Sequence, residues 1–268
     1  MPQIQINNAA IHYEESGTGP ETIVFAHGFL WSGHMFHHQV ETLKDQFRCI
    51  TFDFRGQGRS EVTRSGYDIQ FLTEDTATLI ESLNCAPCHF VGLSMGGFVG
   101  MRLAIHHPEL LKSLTLLETS ADPETVHSLG QYRLLGFIAR WFGLRIVANR
   151  VMPIMFGKKF LTDASRKQLK EEWRRRLISN KRLGVTRTLK GIIKRDGIHD
   201  QLKSIALPTL IVVGDQDVAT PPEMAERIQA GIPASLLVTI PGAGHTSTVE
   251  EPDAVSTALR AFLEGQTG

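Results

Sequence analysis

Short apolar runs alternate along this chain with longer stretches of helical periodicity, and that alternation limits the fold more than any other feature. Runs such as Ile23-Val24-Phe25-Ala26 and Leu210-Ile211-Val212-Val213 carry no polar face. A strand reads this way when helices cover both sides of its sheet, as in parallel sheets built from crossover units. Six such strands are predicted, at 22–26, 48–53, 89–93, 113–117, 209–214 and 236–240. Ahead of them, 3–6 and 11–15 flank Asn7-Asn8, a pair suited to a tight hairpin turn. The fold class is therefore α/β, mostly parallel with an antiparallel start.

The alternation stops between 117 and 209, where the pattern is helical, for example over 129–149 and 165–180. This divides the chain into a body, 1–120 and 201–268, and an inserted helical lid, 121–200, over one end of the sheet. The chain carries 28 basic and 28 acidic residues, so no global field draws it to nucleic acid. Residues 122–200, however, hold 18 of the lysines and arginines and only 7 of the acids. That basic insert either forms solvated helix faces and contacts with the acidic body, or attracts anionic substrates or a membrane surface weakly. Residues 134–155 are strongly apolar with arginines interspersed. Most of that face should cover the core and the site, with a remainder free to touch lipid or a second subunit.

No apolar stretch is long enough for an integral membrane segment, and the first fifteen residues show no secretory signal. Cys49, Cys85 and Cys88 are an odd set that does not read as a disulfide framework. A cytoplasmic protein is expected. Cys85-Ala-Pro-Cys88 has redox spacing, but a strand follows it rather than a helix, so it reads as a turn.

Gly92-Leu93-Ser94-Met95-Gly96 lies between a predicted strand and a helix beginning near Gly97. Glycines two residues either side of a serine let the chain turn sharply and project the hydroxyl at a helix N-terminus. A serine hydroxyl needs a base, and the base needs an orienting acid. Both are found downstream at strand ends: Asp217, with Asp215 as the alternative, after the strand at 209–214, and His245 on the loop Pro-Gly-Ala-Gly-His after the strand at 236–240. The backbone N–H groups of Phe29, after His27-Gly28, and of Met95 are the candidate oxyanion hole. Phe29 and Met95 also offer side chains to an apolar pocket, with Trp31 as a further wall. His34, His37 and His38 fall at helical spacing without an accompanying carboxylate or cysteine, so neither metal nor cofactor is expected. Asp53-Phe-Arg-Gly-Gln-Gly-Arg-Ser60 lacks a dinucleotide fingerprint and reads as a structural turn.

Taken in order, His27-Gly28, Asp53 to Ser60, Gly92 to Gly97, Gly214-Asp-Gln-Asp217 and Gly-Ala-Gly-His245 resemble the α/β-hydrolase superfamily. The resemblance implies an eight-stranded sheet, a helical lid after the sixth strand, and a Ser94–His245–Asp217 triad. Ser94 stands where haloalkane dehalogenases and epoxide hydrolases have aspartate. The serine and histidine motifs look most like small esterases and 3-oxoadipate enol-lactone hydrolases, which implies a small-molecule ester or lactone substrate. Carbon–carbon hydrolases of ring-cleavage diketones share the triad but often carry tryptophan where this chain has Thr246. Cofactor-free haloperoxidases resemble the body but commonly have tryptophan at the position of Phe29. A hydrolase-like ligand receptor on the same fold is the reading from a different functional class.

Overall fold

The computed structural model describes residues 2–124 and 126–266, and side chains outside 126–128. Eight strands form one sheet in the order β1-β2-β4-β3-β5-β6-β7-β8. The hairpin β1 (Gln3–Ile6) and β2 (Ala9–Ser16) turns at Asn7 and Asn8, both left-handed at φ 43° and 64°. Asparagine tolerates that conformation, and two in succession suit the twist of a hairpin. β2 joins β4 (Phe47–Phe52) antiparallel. From there β4, β3 (Glu21–Ala26), β5 (Cys88–Leu93), β6 (Leu111–Leu117), β7 (Thr209–Gly214) and β8 (Leu236–Ile240) run parallel.

Helices cover both faces of the sheet. α1 (His37–Leu43), α2 (Ile69–Ser82) and α3 (Met95–His106) follow β3, β4 and β5. Asp68 caps α2 by accepting the Phe71 N–H, and the buried Leu72, Thr76, Leu79 and Ile80 give it one inward face. β3, β5 and β7 are buried almost throughout, as their unbroken apolar pattern requires. Cys85 and Cys88 are buried free thiols at the turn into β5.

Between β6 and β7 lie α4 (Val126–Phe142), α5 (Leu144–Met155), α6 (Lys158–Thr162), α7 (Lys167–Ser179) and α8 (Arg182–Ile193). The helix predicted as continuous over 129–149 is in fact two. Gly143 breaks it with a left-handed φ of 99°, a conformation that ends a helix and re-aims the chain. After β7 come α9 (Pro222–Gly231), then β8, α10 (Ser247–Glu250) and α11 (Pro252–Glu264). Register places Ala26 beside Gly92, Leu93 beside Leu117, and Gly214 beside Ile240. The carboxyl ends of β3, β5, β7 and β8 therefore open on the same edge, where α/β sheets hold their ligands.

Candidate active site

β5 delivers Ser94 to that edge through a sharp turn into α3. Ser94 has φ 52° and ψ −108°, a conformation a non-glycine residue holds only where its surroundings impose it. They do so on both sides. A Cβ at Gly92 would lie 2.3 Å from the Gly96 carbonyl oxygen, and one at Gly96 would lie 2.0 Å from that of Ala26. The turn is held further by the Ser94 N–H donating to Leu117 O (2.8 Å) and by Thr119 Oγ1 donating to Ser94 O (2.8 Å).

The loops after β7 and β8 complete the cluster. His245 Nδ1 donates to Asp217 Oδ2 at 2.8 Å. A carboxylate can only accept, so this bond places the ring proton on Nδ1 and leaves Nε2 free to accept. Ser94 Oγ stands 2.9 Å from Nε2 and donates to it. Asp217 is itself fixed: Oδ1 accepts the N–H groups of Ala219 (2.8 Å) and Thr220 (3.1 Å), and Oδ2 accepts the Thr220 hydroxyl (2.8 Å). Asp217, His245 and Ser94 are all buried. Asp215 is elsewhere, its Oδ1 accepting the Gly242 N–H at 2.7 Å.

The loop after β3 bends around Phe29. Leu30 takes φ 71°, its N–H donates to Gln57 Oε1 (2.9 Å), and the Trp31 N–H donates to Gly28 O (3.2 Å). Gln57 Nε2 also reaches Met95 Sδ, so one side chain ties this loop to the serine turn. His27 Nε2 accepts the Phe54 N–H and Nδ1 donates to Gly28 O; full burial holds its pKa below the usual histidine value, so it is a neutral strut. Met95 opens α3, and the first N–H groups of a helix have no partner within it. Asp53 accepts the N–H groups of Gly33 and Arg59, both at 2.8 Å, and so organises the turn that follows β4.

A cavity of about 120 Å³ opens at Ser94 and His245. Phe29, Phe98, Leu135, Val147 and Met155 are among its apolar walls, so the sheet edge and α4, α5 and α8 enclose it together. Two side chains named from the sequence for this pocket lie outside it. Trp31 is packed edge-on against Phe156 and Trp173, with centroids at 5.8 and 5.0 Å, because the Leu30 turn sends it away from Phe29 toward α7. Met95 is fully buried beneath the serine turn. The cavity also has a polar end that the sequence did not announce. Arg195 pairs with Glu124 at 2.9 Å and its guanidinium lies 4.2 Å from the Phe98 ring centre. Phe98 is one helical turn beyond Ser94, bonded to its carbonyl. Tyr132 lines the same region, and burial pushes its hydroxyl up to about 12.

Behind His245, Glu250 accepts three backbone N–H groups: Gly244 (3.0 Å), Thr246 (3.1 Å) and Gly157 (2.8 Å). It thus grips both neighbours of the histidine and the α5–α6 junction. Burial pushes its carboxyl up to about 7 despite those three bonds. Glu118 is fully buried just after β6, and burial, with Asp217 and Glu250 nearby, pushes its carboxyl well above its usual value. The sequence signals for these were faint. Thr220 precedes Pro221 in a turn and Glu250 lies two residues before the proline that opens α11, but neither position names a partner.

The α/β-hydrolase-fold family model matches residues 21–252. The chain belongs to the α/β-hydrolase family. This α/β-hydrolase is 31% identical over 267 residues to a protein named as the non-heme bromoperoxidase BpoC of Mycobacterium tuberculosis, covering 94% of this chain and 96% of that one. It is 28% identical over 249 residues to 3-oxoadipate enol-lactonase 1 of Acinetobacter baylyi, covering 92% and 91%. A thermophilic esterase from Thermogutta terrifontis superposes with a TM-score of 0.93 at 29% identity, over the full length of both chains. Among the described residues of this hydrolase, no helix is long and apolar enough to cross a membrane.

Proposed function

We propose that this hydrolase cleaves a carboxylic ester or lactone through an acyl-enzyme on Ser94. The observation that carries the reading is the run of two bonds, 2.8 Å from Asp217 to His245 and 2.9 Å from His245 to Ser94, ending at a largely apolar cavity. In this mechanism His245 Nε2 takes the Ser94 proton as Oγ attacks the carbonyl carbon. The N–H groups of Phe29 and Met95 hold the oxyanion. His245 then gives its proton to the departing alkoxide. Water, deprotonated by the same nitrogen, attacks the acyl-enzyme; collapse frees the acid and returns the proton to Ser94. Asp217 keeps the imidazole in the accepting tautomer and stabilises its cation.

Helices α4–α8 serve as the lid over residues of the body. The apolar walls favour an uncharged acyl group. Arg195 does not invite a free carboxylate, because Glu124 already compensates its charge. The three free thiols are compatible with a cytoplasmic setting.

The decisive experiment pairs wild type with Ser94→Ala on a panel of neutral esters, neutral lactones, carboxylate-bearing lactones, thioesters and vinylogous diketones. Turnover of neutral p-nitrophenyl esters should fall by roughly 10⁴-fold or more with the melting temperature preserved. Labelling by a fluorophosphonate probe should disappear with it. Undiminished turnover in the variant would overturn the mechanism, and a diketone preference would move the reaction to carbon–carbon cleavage.

A further inference from the structure

Helices α4 and α5 are apolar on two faces. Leu135, Ala139, Leu144, Val147 and Val151 point inward to the cavity. On the opposite side, Leu134, Phe137 and Trp141 recur at the spacing of one helical face, Phe142 adds to them at the end of α4, and Ile146 follows beyond Gly143 on α5. All five are 59–64% exposed. Isolated exposed leucines are ordinary on a protein surface, whereas five large apolar side chains on two consecutive helices mark a surface that meets something.

Charge identifies what it meets. Between Glu124 and Asp163 the chain has no acidic residue, while Arg133, Arg140, Arg145 and Arg150 are distributed along the same two helices. None of the four forms an ion pair among the described residues. Arg140 lies over the Trp141 ring at 5.4 Å, so cation and aromatic face are offered together. Lys190 lines a groove with Phe137 and Trp141.

We propose that this face docks on an anionic lipid surface. Apolar side chains would enter the boundary between headgroups and acyl chains, Trp141 would sit at headgroup level, and the arginines would pair with lipid phosphates. A second copy fits less well. Two-fold pairing of this face would set arginines against arginines with no carboxylate between them. Docking would bring the helices that enclose the cavity to the layer where lipophilic esters partition. It stands whichever carbonyl substrate the site cleaves, since vesicle binding is read without turnover.

The test is sedimentation of the full chain with phosphatidylcholine vesicles, with and without about one quarter phosphatidylglycerol. Wild type should pellet with the anionic vesicles only, and release in about 1 M salt. Trp141→Ser combined with Phe142→Ser should weaken partitioning at least about tenfold, and Arg145→Glu combined with Arg150→Glu should do the same. Both double variants should hydrolyse a short soluble ester at the wild-type rate, which shows that they fold. Three results would overturn the proposal: no pelleting of wild type, equal pelleting with neutral vesicles, or a wild-type dimer in sedimentation velocity that the Trp141 and Phe142 substitutions dissociate.

Discussion

Two helices of this hydrolase each carry a glycine near their start, and the two glycines answer to different constraints. In α3, a Cβ at Gly96 would stand 2.0 Å from the Ala26 carbonyl oxygen, whereas in α4 a Cβ at Gly130 would meet nothing within 4 Å. The serine turn is packed backbone against backbone, so residue identity there is dictated by contacts that no side chain can evade. Over most of α4–α8 the chain is asked only to be helical and amphipathic, and many sequences meet that demand. The exception is where the helical segment touches the body: Gly184 on α8 leaves 1.7 Å between a Cβ and the Gly56 carbonyl oxygen. Constraint therefore follows contact with the sheet's loops and not distance along the chain.

Substitutions can break that contrast, beginning with the largest effect. Asp217→Asn should cost about 10³- to 10⁴-fold in kcat by reversing the imidazole tautomer, while Asp215→Asn, which disturbs only the bond to Gly242, should cost less than about tenfold. Comparable losses in steady-state kinetics of both variants would reassign the acid. Gly184→Ala should lower stability by about 2–3 kcal/mol in thermal or urea melts, although it lies within the helical segment. An unchanged melt would show that α8 can shift without cost and would erase the exception.

Glu250 gives the next effect and sets its pH window. Its carboxyl is raised from 4.5 to about 7, so the folded chain holds this proton more tightly than the unfolded one. Its stabilisation is complete below pH 4.5 and is lost as pH rises through about 7. Glu250→Gln should flatten that decline by up to about 3 kcal/mol, read as melting temperature against pH. A decline as steep as in wild type would assign the window elsewhere. The smallest effect is Gly130→Ala, which should raise stability by about 0.5–1 kcal/mol through helix propensity alone. A loss instead would reveal a contact on α4 that its open surroundings do not show.

The same contrast explains what could be read from the sequence. Strands at 209–214 and 236–240 occur within the bounds predicted for them, and β3 and β5 differ by one residue; β3, β5 and β7 announce themselves by the composition of buried parallel strands, whereas β8, a partly exposed edge strand, is legible from its run of β-formers. The serine turn was legible from its glycines, and the meeting of Ser94, His245 and Asp217 from their order at strand ends. The split at Gly143 was not, since one glycine in a helical pattern is usually tolerated and only the left-handed backbone reveals the break. Trp31 shows a second limit. It lies two residues from Phe29, yet its place depends on Leu30 turning left-handed and on Trp173 of α7 waiting to receive it. Nor does any local pattern pair Arg195 with Glu124 or bring Gly157 to Glu250, for those bonds join segments separated by dozens of residues.

The three N–H groups gathered on Glu250 have a consequence for how such an enzyme could change. One carboxyl group fastens the neighbours of His245 and the junction of α5 with α6, so the wall of the cavity and the His245 loop share an anchor. A remodelled helical segment that shifted Gly157 to widen the cavity would drag on the support of His245. The cavity wall and the His245 loop are in this way mechanically joined, and drift on the outer side of α4, which touches neither, is free of that tether.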